Sequence, residues 1–522
     1  MNVFLSSQAA YPWTAENGFF FRGYFLAEGQ CWRGSSAVSF LKKHLDVEPP
    51  ETVFRGLNGV FSVIWERGSD VLFAVDRLRG LPLFYSIVSG ELWVGDDTVA
   101  LVETLPEKSL SAFAEEEFKS TNTFVSGSST LLNELFQVRA GEFCVFDNKK
   151  AVVESVSYFC LKYRNSFNGA DSETLCREFY LAYSKAGKSL VKALNGRTAV
   201  IPLSGGADSR MVLSLLKNEH YEKVLCFSYG RPGNPESEIS RQVAKEFGYS
   251  WTMVPYSGKM WETLRDDPAT ADYEKFASAY CSTPHLQDFP AVKYMKEHGD
   301  LPEDSVFLPG HMGDEIAGSS IPTLYLNSVV TRQDCTHSIF NKFYHKVSPA
   351  LQEHIIKSYK IPNAADAQEY ASVFERFNFS ERQAKYIINS VRVYEFFGYE
   401  WLIPLGDNDL FDFWEKVPLL WQCHRKLYFF AVNDQLPSTN DITVSKRLAS
   451  KVRQIPGLRS MARKYKRIQN YWSSPLCIEH FFPAPVYWKA CIFGSTPVSS
   501  TVLGRQRLLT QLKEELRRHE ES

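Results

Sequence analysis

The chain has 522 residues, 44% hydrophobic and 23% charged, an ordinary globular composition long enough for two or three domains with substantial cores. A formal net charge of −2 gives no electrostatic footprint for nucleic acid, so no such partner is expected. Ten cysteines are scattered without a C-x-x-C pair, which argues against a structural zinc site or a disulfide framework and for free thiols in a reducing compartment. The opening stretch, MNVFLSSQAAYPW, lacks the basic start and apolar core of a signal peptide. Nothing approaches the roughly 18 uninterrupted apolar residues of a membrane span. The sequence therefore predicts a cytoplasmic protein with no membrane span.

The first 160 or so residues read as β-rich. Val60 to Trp65, Val71 to Val75, Leu83 to Val88 and Leu92 to Val94 are short apolar runs, and Gly68-Ser69-Asp70 and Ser89-Gly90-Glu91 are turns between them. From about residue 170 the pattern becomes alternating helix and strand. Ser172 to Ala193 reads as a long helix. Ala199 to Leu203 is a buried strand, followed by the loop Ser204-Gly205-Gly206-Ala207-Asp208-Ser209 and a helix with Met211, Val212, Leu215 and Leu216 on one face. Val224 to Tyr229, Trp251 to Val254 and Val306 to Leu308 continue as strands, with a helix over Glu236 to Phe247. Such alternation predicts a doubly wound parallel sheet with its ligand at the carboxyl ends of the strands. The tail from Leu503 to Leu516 reads as a charged surface helix.

The SGGADS loop has the chemistry of a pyrophosphate cradle. Two glycines let the backbone approach a ligand closely. The helix that follows directs its free N–H groups and positive dipole end into the loop, and the serines add donors. The lysine of a Walker loop is missing. Leu203, Ser204, Gly205, Gly206, Asp208 and Ser209 are thus expected to bind a nucleotide, with Ser228 beside it at the end of the next strand. A second loop, Pro309 to Gly318, follows Val306 to Leu308 and carries Gly310, His311, Asp314 and Glu315. Asp208 and Asp314, at neighbouring strand ends, are the expected Mg²⁺ ligands for a nucleotide triphosphate.

These motifs resemble a known family. SGGADS with a second G-x-x-G-D-E loop resembles the synthetase domain of the asparagine synthetases, a group that includes β-lactam synthetases and lasso-peptide cyclases. Arg392 to Asp407, RVYEFFGYEWLIPLGD, resembles a further segment of that family, and Phe411 to Pro418 and Arg425 to Pro437 continue it. In the first half, Leu57 to Ser86 followed by GELWVGDD, and Gln137 to Glu142 with Phe146-Asp147, resemble the glutaminase domain of class II amidotransferases. The resemblance implies an N-terminal antiparallel β-sandwich of Ntn-hydrolase type (1–165) and a C-terminal ATP-pyrophosphatase domain with a helical end (170–522). It further implies activation of a carboxylate by ATP as an acyl-adenylate, then attack by an amine.

Departures from the family shape the expectation. The family's glutaminase begins with a nucleophilic cysteine; here Met1 precedes Asn2, an amide that cannot be the nucleophile, and Cys31 is far along the chain. Arg22-Gly23-Tyr24 stands near the family's glutamine-gripping strand. The resemblance thus implies a domain that does not hydrolyse glutamine, with ammonia or a small amine as donor. Lys446, after Leu436-Pro437, falls at the spacing of the family's α-phosphate lysine. His311 occupies the place of a family acid and suits proton transfer near neutral pH. Lactam-forming members use a Tyr–Glu dyad, for which Glu395 and Glu400, beside Tyr394 and Tyr399, are candidates. Glu400 aligns best with the family's helix glutamate. Ser282 to Pro290 is expected to line the acceptor pocket.

Similarity to members from bacterial surface-polysaccharide clusters implies a sugar uronate as the carboxylate, with a nucleotide- or lipid-linked sugar open as its carrier and a homodimer allowed. A lactam or macrolactam synthetase, an asparagine synthetase proper and a non-catalytic nucleotide-binding protein are the alternatives. The run Lys446 to Arg467 carries nine basic residues and no acid; it reads as a solvated face or as a contact for an anionic substrate or membrane surface.

Overall fold

A computed structural model describes residues 1–327, 329–435, 474–487 and 500–521. Lys446 and the basic run 446–467 lie outside the described residues. The N-terminal half contains eleven strands: β1 (Asn2–Phe4), β2 (Thr14–Glu16), β3 (Phe19–Ala27), β4 (Gln30–Arg33), β5 (Asn58–Arg67), β6 (Asp70–Val75), β7 (Phe84–Val88), β8 (Glu91–Gly95), β9 (Phe136–Gln137), β10 (Glu142–Asp147) and β11 (Val152–Ser157). They form a small sheet, β1-β8-β7-β9, and a larger one, β11-β10-β6-β5-β3-β2, with β4 on β3. Pairing is antiparallel except between β1 and β8, which run parallel.

Alternation along the strands explains why the large sheet is buried on both faces. Ile64, Phe73 and Val75 pack with Leu83, Tyr85, Leu92 and Val94 in one core shared by the two sheets. The intervening residues Phe61, Val63, Leu72 and Ala74 face the other way. There they meet the helices Gly34–Leu45 and Pro50–Gly56, whose Val38, Leu41 and Phe54 are buried.

The second half is built on five parallel strands: β12 (Ala199–Pro202), β13 (Val224–Gly230), β14 (Ser250–Pro255), β15 (Val306–Phe307) and β16 (Glu400–Trp401). Their order is β14-β13-β12-β15-β16. β12 is central, with Ala199 paired to Val224 on one side and to Val306 on the other. Its Ala199, Val200 and Ile201 are fully buried, as a strand covered on both faces requires. The chain leaves β12 towards β13 and later returns on its other side to form β15. The order therefore reverses between β12 and β15, and the crevice beyond their carboxyl ends is the place such sheets bind ligands.

Three further helices, Arg332–Phe343, Pro349–Ser358 and Ala367–Phe377, form a separate core around Ile339, Phe343, Phe374 and Phe377. The last continues into a wide π-helical stretch, Asn378–Ile387, of the kind that often sits at functional sites. The two halves are joined by buried and half-buried polar bonds. Arg22 on β3 pairs with Asp96 and, at 2.6 Å, with Glu395. Arg33 reaches Glu400 at 2.8 Å. Asn58 donates to Asp407 at 2.6 Å. Lys385 of the π-helical stretch, fully buried, pairs with Glu381 at 2.6 Å and donates to the carbonyls of Val125 and Gly127.

Candidate active site

The strand–loop–helix expected from the sequence is present. β12 ends at Pro202 and the helix Ala207–Asn218 begins directly after Gly206. No side chain caps that helix, so its first-turn N–H groups stay available to an anion. The loop holds its own shape: Ser204 N–H donates to Ser209 Oγ at 3.1 Å, and Gly206 N–H donates to Ser204 Oγ at 3.1 Å.

The second loop docks on the first. A Cβ at Gly310 would lie 2.7 Å from the Ser209 nitrogen, and one at Gly313 would lie 3.0 Å from Asp208 Cγ. Only glycine permits that approach, because the obstacle at Gly310 is backbone. The turn between them puts Met312 at φ +79°. The helix Gly313–Ile316 follows, and Asp314 N–H points at Asp208 Oδ2 at 3.4 Å. The expected pairing of Asp208 with Asp314 is therefore a real adjacency.

Two residues beyond the SGGADS and Gly310 loops hold this pair. Tyr428 donates its hydroxyl to Asp208 Oδ1 at 2.5 Å, and Arg425 reaches Asp314 Oδ2 at 3.1 Å. Burial, and then the neighbouring Asp314 charge, push the Asp208 carboxyl up to about 7. Asp314 is likewise raised, first by burial. Two acids this close and this desolvated gain from a cation between them. Among the described residues no group of three or more His, Cys, Asp or Glu side chains could hold a metal. Asp208 and Asp314 could hold a metal ion only together with waters or substrate oxygens.

Around these loops lies a cleft of about 650 Å³, within the roughly 300–1,000 Å³ of small-molecule sites. Its walls include Ser204, Gly206, Asp208, Ser209, Gly310, His311 and Asp314. Leu203, Gly205 and Ser228 do not line it; Ser228 is a buried β13 residue, and its neighbour Tyr229 faces the cleft instead. His311 accepts from or donates to Ser390 Oγ at 2.8 Å, and burial pushes its imidazole down to about 4. It is therefore neutral near pH 7.

Glu395 and Glu400 are not in the cleft. Glu395 is fully buried against Arg22 and, at 3.4 Å, Arg392. Glu400 starts β16, opposite Val306, the first residue of β15. It therefore sits at the amino edge of the sheet, away from the ligand edge, and binds Arg33 and Arg197. Both glutamates are structural ion-pair partners rather than candidates for proton transfer. The tyrosine beside Glu395 instead bonds a residue of the cleft wall. Tyr394 donates to Asp288 Oδ2 at 2.9 Å, and Tyr229 donates to Asp288 Oδ1. Asp288, which lines the cleft, is raised by burial. It falls within Ser282 to Pro290, the stretch expected at the acceptor pocket, but its tyrosine partners come from elsewhere in the chain.

The asparagine synthase family model matches residues 195–443. No curated protein matches the chain. Among solved structures, the chain is similar to the NH3-dependent NAD synthetase from Campylobacter jejuni subsp. jejuni NCTC 11168 in complex with the nitrate ion. That likeness has 13% identity and a TM-score of 0.21, and it covers 36% of this chain and 93% of the other. The family match spans both loops of the cleft.

Proposed function

We propose that the protein is an ATP-dependent ligase that activates a carboxylate as an acyl-adenylate and transfers it to ammonia or a small amine. The observation that carries this reading is the SGGADS cradle, whose Asp208 stands against Asp314 of the second loop in the wall of one cleft. Its chemistry balances as two displacements. A carboxylate oxygen bonds to the α-phosphorus while the bond to the β,γ-pyrophosphate breaks. The amine nitrogen then bonds to the acyl carbon, AMP leaves, and the amine gives up a proton. The Ser204–Ser209 loop and the open helix start stabilise the departing pyrophosphate. Mg²⁺ held by Asp208 and Asp314 would offset the triphosphate's charge. Asp288 or neutral His311 would take the amine's proton. Lys446, outside the described residues, is proposed as the α-phosphate cation.

The N-terminal sheets are proposed to be a glutaminase-like scaffold that does not hydrolyse glutamine. Support comes from Asp96, beside the end of β1, which is already committed to Ser6, Trp13 and Arg22. The carboxylate is proposed to be a sugar uronate of surface polysaccharide. Among the described residues no helix is long and apolar enough to cross a membrane.

Carboxylate-dependent exchange of labelled pyrophosphate into ATP, run with a panel of uronates, amino acids and aromatic acids, tests the first step. Exchange with at least one acid is expected, falling on the order of 10²-fold in Asp314→Asn. ATP binding with no exchange for any acid would sink the enzyme reading, and glutamate release from glutamine coupled to ATP use would sink the scaffold reading.

A further inference from the structure

A second cavity adjoins the cleft. It has a volume of about 210 Å³ and shares His285 and Gln287 with the cleft as a common wall. Its far side is built by distant segments: Leu476, Ile478 and Phe482 from the short stretch 474–487, and Thr501 and Gly504 from the C-terminal helix Ser500–Glu521. The C-terminal helix, a surface element by its charge pattern, therefore closes a chamber beside the reaction centre. Thr501 Oγ1 lies 3.3 Å from the Tyr386 hydroxyl across it.

The wall chemistry restricts the occupant. Among the described lining residues there is no lysine or arginine. The one charged side chain, Glu274, is bonded to Arg507 at 3.0 Å. Leu286, Leu476, Ile478 and Phe482 are apolar, and the Tyr386 ring packs on His285 at a tilt of 35° with centroids 4.1 Å apart. His285 Nε2 is shielded from solvent with no hydrogen-bond partner among the described residues. A second carboxylate, an ammonium or a diphosphate would enter this chamber unpaired. An uncharged ring with hydroxyls or an aromatic face would not.

Resting on the ligase reading above, we propose that this chamber holds the non-reacting body of the carboxylate substrate, and that this body is an uncharged, ring-sized group. The reacting carboxylate projects past His285 and Gln287 into the cleft. A single pyranose or phenyl ring meets the requirement; aspartate, with two further charges, does not. Gly504 acts as the gauge of the chamber. A Cβ there meets Thr283 Cγ2 at 3.4 Å, an ordinary contact, whereas a longer side chain occupies the space itself.

Calorimetric binding of methyl β-D-glucuronoside, benzoate and L-aspartate to the full chain loaded with a non-hydrolysable ATP analogue tests this. At least one ring carboxylate binds and aspartate does not. Gly504→Leu weakens the ring carboxylate by at least about tenfold, leaves the ATP analogue's affinity unchanged, and Gly504→Ala binds like the native chain. If Gly504→Leu does not fold, Ile478→Ala is used; widening the chamber then shifts preference from benzoate to 2-naphthoate. Aspartate binding as well as the rings, no ring carboxylate binding, or affinity indifferent to both substitutions overturns the proposal. Ring binding without pyrophosphate exchange would leave the chamber standing and remove the adenylation reading. Exchange that ignores Gly504→Leu would do the reverse.

Discussion

Glu395 separates two accounts of the same residue by magnitude. Its side chain is 0% exposed and faces Arg22 at 2.6 Å and Arg392 at 3.4 Å, while Arg392 lies over the Phe276 ring at 3.9 Å. Glu395→Leu leaves Arg392 buried with no carboxylate and Arg22 with Asp96 alone. Removing one partner of a buried pair costs about 3–5 kcal/mol. With a urea dependence near the upper end for folded domains, about 3 kcal/mol per molar, the unfolding midpoint falls by about 1–2 M. A general base in its place would instead take on the order of 10²–10⁴-fold from turnover with little change in stability. Urea unfolding followed by tryptophan fluorescence, beside pyrophosphate release at 20 °C, reads both quantities on one sample. The structure predicts a displaced midpoint and turnover within a few-fold of the native chain once the protein is folded. A hundredfold loss of turnover at an unchanged midpoint would refute the structural assignment.

Two other perturbations follow from the cleft. Gly310→Ala drives a Cβ to 2.7 Å from the Ser209 nitrogen; overpacking of about 1–3 kcal/mol converts to roughly 5- to 150-fold weaker ATP binding by calorimetry, and unchanged affinity would contradict the described contact. His285 is held neutral, with its pKa pushed by burial down to about 3. An unfolded histidine takes its proton near 6.5, so the folded state loses stability as pH falls below that value. Between pH 6.5 and 4.5 the native chain should lose about 2 kcal/mol more than His285→Asn in urea unfolding, and parallel pH profiles would show the imidazole to be solvated.

What the sequence conveyed well was local. The apolar run before Ser204, the paired glycines and the helical spacing after Asp208 each act within a few residues, and they form the strand, loop and helix anticipated. The bounds of β13 and of the helix Pro235–Phe247 likewise fall within about one residue of the apolar pattern. Contacts made at a distance were not legible. Tyr428 reaches Asp208 across 220 residues, and no periodicity encodes that choice. The stretch YEFFGYEW offers two glutamates and two tyrosines with similar neighbours. Which of them bonds the cleft wall and which forms an ion pair depends on where β3 places Arg22 and where Asp288 lies. Tyr394 bonds Asp288 in the cleft wall, while Glu395, its immediate neighbour, pairs with Arg22 of β3.

The central position of β12 also sets an order in time. Its second neighbour β15 pairs onward to β16, which is synthesised about 200 residues after β12. At about 5–20 residues per second that delay is about 10–40 s on a ribosome. Until β16 arrives, β15 has β12 on one side and an open edge on the other, and before Glu395 is made Arg22 has only Asp96. A nascent chain halted before Trp401 therefore exposes an unfinished sheet edge and an open gap beside β3, the kind of surface that recruits chaperones or aggregates. Residues 395–428 thus act as a late closing segment: their arrival completes the sheet, the ion pairs to Arg22 and Arg33 and, through Tyr428, the bond to Asp208 together.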